Sequence, residues 1–150
     1  SLGGFVVGER AVINYFKHHS PALIFSASPT PASVAAALAA LDILEEHPEL
    51  VNRLQANAQY MREGFTKLGF KVLHGQTGVV PVIIGDDEKS FIFWKELFDA
   101  GVFVNVFISP GVPAGMQMLR TSYMATHEKE HLDRILEICG DIGRKLGVIN

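Results

Sequence analysis

Apolar positions recur at helical spacing in the first half of the chain and switch to strand-like runs near residue 70. Arg10 to His19 sets Val12, Ile13 and Phe16 on one side of a helix, after a short strand predicted over Phe5 to Val7 behind a Gly3-Gly4 turn. Thr30 before Pro31 is a helix-start signal: a hydroxyl caps the first turn, and a residue without an N–H sits where none is needed. That helix runs to about Glu46 and is thin, with Ala35, Ala36, Ala37, Ala39 and Ala40. Pro48 separates it from a second helix over Glu49 to Leu68. There Leu50, Leu54, Ala58, Met61 and Phe65 form an apolar stripe, and Gly69 supplies the cap.

Past Gly69 the pattern predicts strands at Phe70 to Leu73 and Val79 to Ile84, then a helix from Asp86 to about Ala100, closed by Gly101. Val102 to Ile108 and Met118 to Met124 follow as strands, joined by the loop from Ser109 to Gly115. A last helix spans about His127 to Leu146 with Thr126 as its N-cap. The order strand, strand, helix, strand, strand, helix predicts an α+β layer with its helices on one face of a mainly antiparallel sheet.

Composition narrows the class. With 150 residues and 48% hydrophobic content, the chain can bury the core of one domain, or of one domain and part of another. A net charge of -3, with basic residues scattered, gives no basic face for nucleic acid or an anionic membrane. Cys139 is the only cysteine, so no intramolecular disulfide forms and a reducing cytoplasm is the simpler compartment. No apolar run reaches the ~18 residues of a membrane span. The chain starts at Ser1 without a methionine and opens inside a strand-like segment, which reads as part of a longer protein.

Three places offer chemistry. Alternation puts Met118, Arg120 and Ser122 on one face of the last strand and Leu119, Thr121 and Tyr123 on the other. Arg120 is then either the solvated side of an edge strand or a rigidly held guanidinium whose planar fork suits a carboxylate. Ser26 to Thr30 brings hydroxyls and amides ahead of a helix amino terminus, which suits either a plain cap or a phosphate site. His127 and His131, at i and i+4, share a helix face, but no further ligand pattern accompanies them. They read as a solvated first turn rather than a metal site.

Taken together, several segments resemble the α-oxoamine synthases, a family of pyridoxal-phosphate-dependent acyltransferases. They are Gly3-Gly4-Phe5, Phe25-Ser26-Ala27-Ser28 with the alanine helix, Gly101 to Asn105, Pro110 to Gly115 leading to Leu119-Arg120, and Ala125-Thr126-His127. The resemblance implies the aspartate-aminotransferase-like fold, with residues 1–47 as the end of the large domain and start of the interdomain helix, and 48–150 as the small carboxy-terminal domain. It implies a homodimer, an amino acid and an acyl-CoA as substrates, and pyridoxal 5'-phosphate held by a lysine upstream of Ser1, so that no catalytic residue lies in this chain. Ser26 and Ala27 match the pair that contacts the cofactor phosphate, Ala27 through its amide alone. Arg120 matches the arginine that holds the amino acid's carboxylate. Ile108 stands where some members carry a second arginine. The bacterial serine palmitoyltransferase pattern is nearest, ahead of glycine C-acetyltransferases and 8-amino-7-oxononanoate synthases. A ferredoxin-like regulatory module is the alternative from another class.

Overall fold

A computed structural model describes residues 3–150; Ser1 and Leu2, at the head of the segment that includes Gly3-Gly4-Phe5, lie outside the described residues. The chain divides into two compact units, one ending at Pro48 and the other running from Glu49 to Asn150.

The first unit holds α1 (Arg10–His19), α2 (Pro21–Ile24) and α3 (Pro31–Glu46). α3 starts where the sequence indicates, the Ser33 amide donating to Thr30 Oγ1 at 3.3 Å. α2 was not foreseen. It uses the same device on a shorter scale, with Ser20 as cap and Pro21 at the first position. The strand expected over Phe5 to Val7 is absent: these residues pair with no strand among the described residues, and Phe5 is 84% exposed. A strand exists only through its ladder, and the described residues of this unit provide no neighbour to pair with.

The second unit is α4 (Glu49–Lys67), β1 (Lys71–Val72), β2 (Val79–Ile83), α5 (Asp87–Asp99), β3 (Asn105–Phe107), β4 (Met118–Ser122) and α6 (Lys129–Lys145). The four strands pair antiparallel in the order β1-β2-β4-β3. This is the α+β layer that the hydrophobic pattern predicts. Val80, Val82, Leu119 and Thr121 are buried on one face of the sheet. Met61 and Phe65 of α4, Phe93 and Leu97 of α5, and Leu132 of α6 join the same core. On the other face of β4, Arg120 and Ser122 are exposed, so one side of the sheet carries the helices and the other is open. β4 lies between β2 and β3. Arg120 is thus not on an edge strand, the bland expectation for it, but on the open face of an interior one.

The helix ends are local devices. After α4, Gly69 takes φ +98°, its amide donates to Thr66 O at 3.0 Å, and the Phe70 amide donates to Phe65 O at 3.0 Å. These two bonds are a Schellman cap, completed by edge-to-face contact of the Phe65 and Phe70 rings, 5.8 Å apart. α6 begins two residues later than expected. Its N-cap is Glu128 rather than Thr126, because the Glu128 carboxylate and the His131 ring reciprocally take up the first-turn amides.

Candidate functional site

Arg120 is positioned by the register of β3 and β4, which sets Asn105 directly opposite it across the ladder. Asn105 Oδ1 accepts a hydrogen bond from Arg120 Nη2 at 3.3 Å, and the guanidinium lies 5.0 Å from the centre of the Phe107 ring, two residues further along the same strand. An amide oxygen and an aromatic face orient the fork without neutralising it. The ion pairs among the described residues do not involve Arg120.

Arg120 stands at one wall of an open cleft of about 720 Å³. The cleft forms where β3 stops at Asn105 while β4 continues to Ser122, so the chain from Gly101 to Val104 leaves β4. The Trp94 indole N–H meets the Val104 carbonyl at 3.1 Å on that departing segment. The far wall is His127, just ahead of α6, together with His131 and Arg134 of that helix.

Both histidines are used structurally. The Met124 amide donates to His127 Nδ1 at 3.1 Å, and the Glu128 amide donates to His131 Nδ1 at 3.1 Å. A backbone N–H can only donate, so each neutral ring carries its own hydrogen on Nε2. Nδ1 is then occupied, and among the described residues no group of three or more His, Cys, Asp or Glu is placed to hold a metal.

Beneath the cleft, burial raises the Tyr123 phenol above its ordinary value of 10.0. Thr121 Oγ1 gives its hydrogen to the Val80 carbonyl at 2.7 Å, and Tyr123 Oη is left without a completed hydrogen bond. Cys139 is a small buried group, and burial pushes its thiol up to about 12.

Ser26 and Ala27 lie in the first unit, just past α2, and are exposed. The Ser26 hydroxyl donates to the Ala22 carbonyl. Among the described residues, the amides of Ser26 and Ala27 are not engaged by any backbone hydrogen bond. What sequence reasoning missed is the surroundings of Arg120. Asn105 and Phe107 become its partners only through strand register, and no local signal carries that. Arg134 gave no signal at all.

The family pattern for aminotransferase class I and II matches residues 1–138. The chain belongs to that family. Its relatives bear out the resemblance to α-oxoamine synthases. It is 38% identical over 148 residues to the 8-amino-7-oxononanoate synthase of Treponema denticola, covering 99% of this chain and 38% of that protein. It is 37% identical over 150 residues to the serine palmitoyltransferase of Bacteriovorax stolpii, covering 100% of this chain and 36% of that one. The chain thus spans under two-fifths of the length of these relatives. Among solved structures, the serine palmitoyltransferase of Sphingomonas wittichii superimposes with a TM-score of 0.82 at 29% identity, covering 96% of this chain and 37% of that one. A structure of SPT with PLP internal aldimine gives a TM-score of 0.83 at 30% identity, covering 95% and 36%.

Proposed function

We propose that this chain is the carboxy-terminal part of a pyridoxal-phosphate-dependent acyl-CoA:amino acid C-acyltransferase, in which Arg120 holds the carboxylate of the amino acid. The observation that carries the reading is the Arg120 guanidinium, unpaired with any carboxylate among the described residues and oriented by Asn105 and Phe107 on an open sheet face. Such a fork can take a carboxylate through two parallel hydrogen bonds and fix its direction, so that the bond to be broken keeps a constant orientation. On this reading residues 1–47 end the large domain and 48–150 form the small one.

The residues present suit the cofactor's phosphate at one point. The unengaged amides of Ser26 and Ala27 can donate to it, and the Ser26 hydroxyl can join them by turning away from Ala22. Bound pyridoxal phosphate supplies the electron sink for making and breaking carbon–carbon bonds, while this chain's residues bind and orient. The 150 residues alone are expected to give no turnover, since the resemblance puts the cofactor-holding lysine upstream of Ser1. The resemblance also supports a cytoplasmic homodimer. Leu38, Leu41 and Leu44 of α3 are each more than two-fifths exposed here and suit an apolar partner surface.

The decisive test is Arg120→Ala in the protein with its upstream residues. Loss of a charge-assisted contact worth roughly 1.5–3 kcal/mol predicts a weakening of amino-acid binding by about 10- to 150-fold. Unchanged amino-acid affinity refutes the role. Serine palmitoyltransferases and 8-amino-7-oxononanoate synthases are both among the relatives. We take serine with a long-chain acyl-CoA as the substrate pair. A preference for alanine with a dicarboxylic acyl thioester selects the synthase reading instead.

A further inference from the structure

The cleft beside Arg120 is lined unevenly. Its charged residues are Arg120 and Arg134, and no Asp or Glu lines it. His127 and His131 each accept a backbone amide at Nδ1, which leaves each ring an Nε2–H to donate. Asn105 commits its side-chain oxygen to Arg120, which leaves its NH₂. The polar side chains at the mouth are therefore mostly donors, two of them guanidinium ions. Arg134 belongs to none of the ion pairs among the described residues and is exposed on the wall opposite β4. A donor-lined concave surface with uncompensated positive charge and half-apolar walls, Phe103 and Ile135, is chemically matched to an oxyanion carried on a larger molecule.

We propose that this cleft is a second oxyanion site, in which Arg134, flanked by His127 and His131, binds a phosphate or carboxylate of the acyl donor while Arg120 serves the amino acid. The proposal rests on the acyltransferase reading for the identity of the ligand, but not for the existence of the site. One chemistry has two possible sources, the phosphates of coenzyme A or a free carboxylate at the far end of the acyl chain.

Titration of the 150-residue chain, followed by NMR at the side chains of His127, His131 and Arg134, separates them. Coenzyme A and heptanedioate are the two probes. Saturable shifts with coenzyme A alone assign the phosphate, shifts with heptanedioate alone assign the terminal carboxylate, and shifts with both support a site that takes either. In each case Arg134→Gln weakens binding by about tenfold or more, the loss of one charge-assisted contact. Arg144→Gln, on α6 but paired with Asp141 outside the cleft, leaves binding unchanged. No shift with either probe, or equal weakening by the two substitutions, overturns the proposal. A failure of Arg120 to affect amino-acid affinity would sink the earlier reading and leave this result standing.

Discussion

Gly140 and Gly143 both lie buried in α6, three residues apart, yet alanine at the two positions should shift stability in opposite directions. A helical glycine costs about 1 kcal/mol relative to alanine, so either substitution begins with a gain of that size. At Gly140 the new Cβ would meet Leu68 Cδ2 at 3.3 Å and the Arg144 guanidinium at 3.5 Å, both ends of flexible side chains. Small rotations remove the contact and most of the gain survives. At Gly143 the Cβ would stand 2.6 Å from Phe70 Cζ and 3.1 Å from both Ile149 Cδ1 and Cγ1. Phe70 cannot yield: its ring is 4% exposed, packs on Phe65 and Phe93, and its amide closes the Schellman cap of α4. Overpacking a fixed ring costs about 1–3 kcal/mol.

Taking the middle of that range, Gly143→Ala is destabilising by roughly 1 kcal/mol net, and Gly140→Ala is stabilising by somewhat less than 1 kcal/mol. Urea unfolding followed by far-UV circular dichroism reads both, and the thermal midpoint should separate the variants by about 4–8 °C per kcal/mol. If the two variants move the midpoint the same way, the placement of Phe70 against α6 is wrong.

Two further outcomes follow from local chemistry. His131→Ala removes half of the reciprocal cap at Glu128 and should cost about 0.5–2 kcal/mol in the same unfolding assay, with His131→Gln recovering much of it; equal losses in both variants would show that the ring acts by packing alone. Cys139 keeps its proton in the folded chain up to about 12, whereas its ordinary value is 9.0. Above the ordinary value the unfolded state binds fewer protons than the folded one, so this thiol contributes stability that is full below about pH 9 and declines toward pH 12, by up to about 1.4 kcal/mol per unit. Urea midpoints at about pH 8 and about pH 9.5 should fall more steeply for the native chain than for Cys139→Ala, and parallel slopes would contradict the burial argument.

What could be read from the sequence and what could not divides by range. Gly69, Gly101, Thr30 and Pro31 act on their own neighbours, and each ends or begins a helix where the sequence indicates. The alternation around Arg120 is similarly local, and β4 buries Leu119 and Thr121 while exposing Arg120 and Ser122. Errors arise where a distant or unusual partner decides. Phe5 to Val7 has strand-forming residues but no neighbour to pair with among the described residues of its unit. The start of α6 moves to Glu128 because an imidazole fills the place in the cap where a Glu or Gln is usual. α2, at four residues, is too short for periodicity to register. The candidate site follows the same division. Arg120 is visible in its own strand, but its partners come from a strand 15 residues away in sequence, and the cleft exists only because β3 ends before β4 does.

The contacts on Arg120 also bear on timing. A free arginine gives up roughly 0.5–1.5 kcal/mol of rotamer freedom when a ligand immobilises it. Here Asn105 and Phe107 restrain the side chain as soon as β3 pairs with β4, so that loss belongs to folding and is not charged again when a carboxylate arrives. Affinity at this position is thereby tied to a ladder only three residues long. A slip of one residue between the two strands would remove Asn105 from opposite Arg120 without touching any ligand-binding atom, and binding strength would register it.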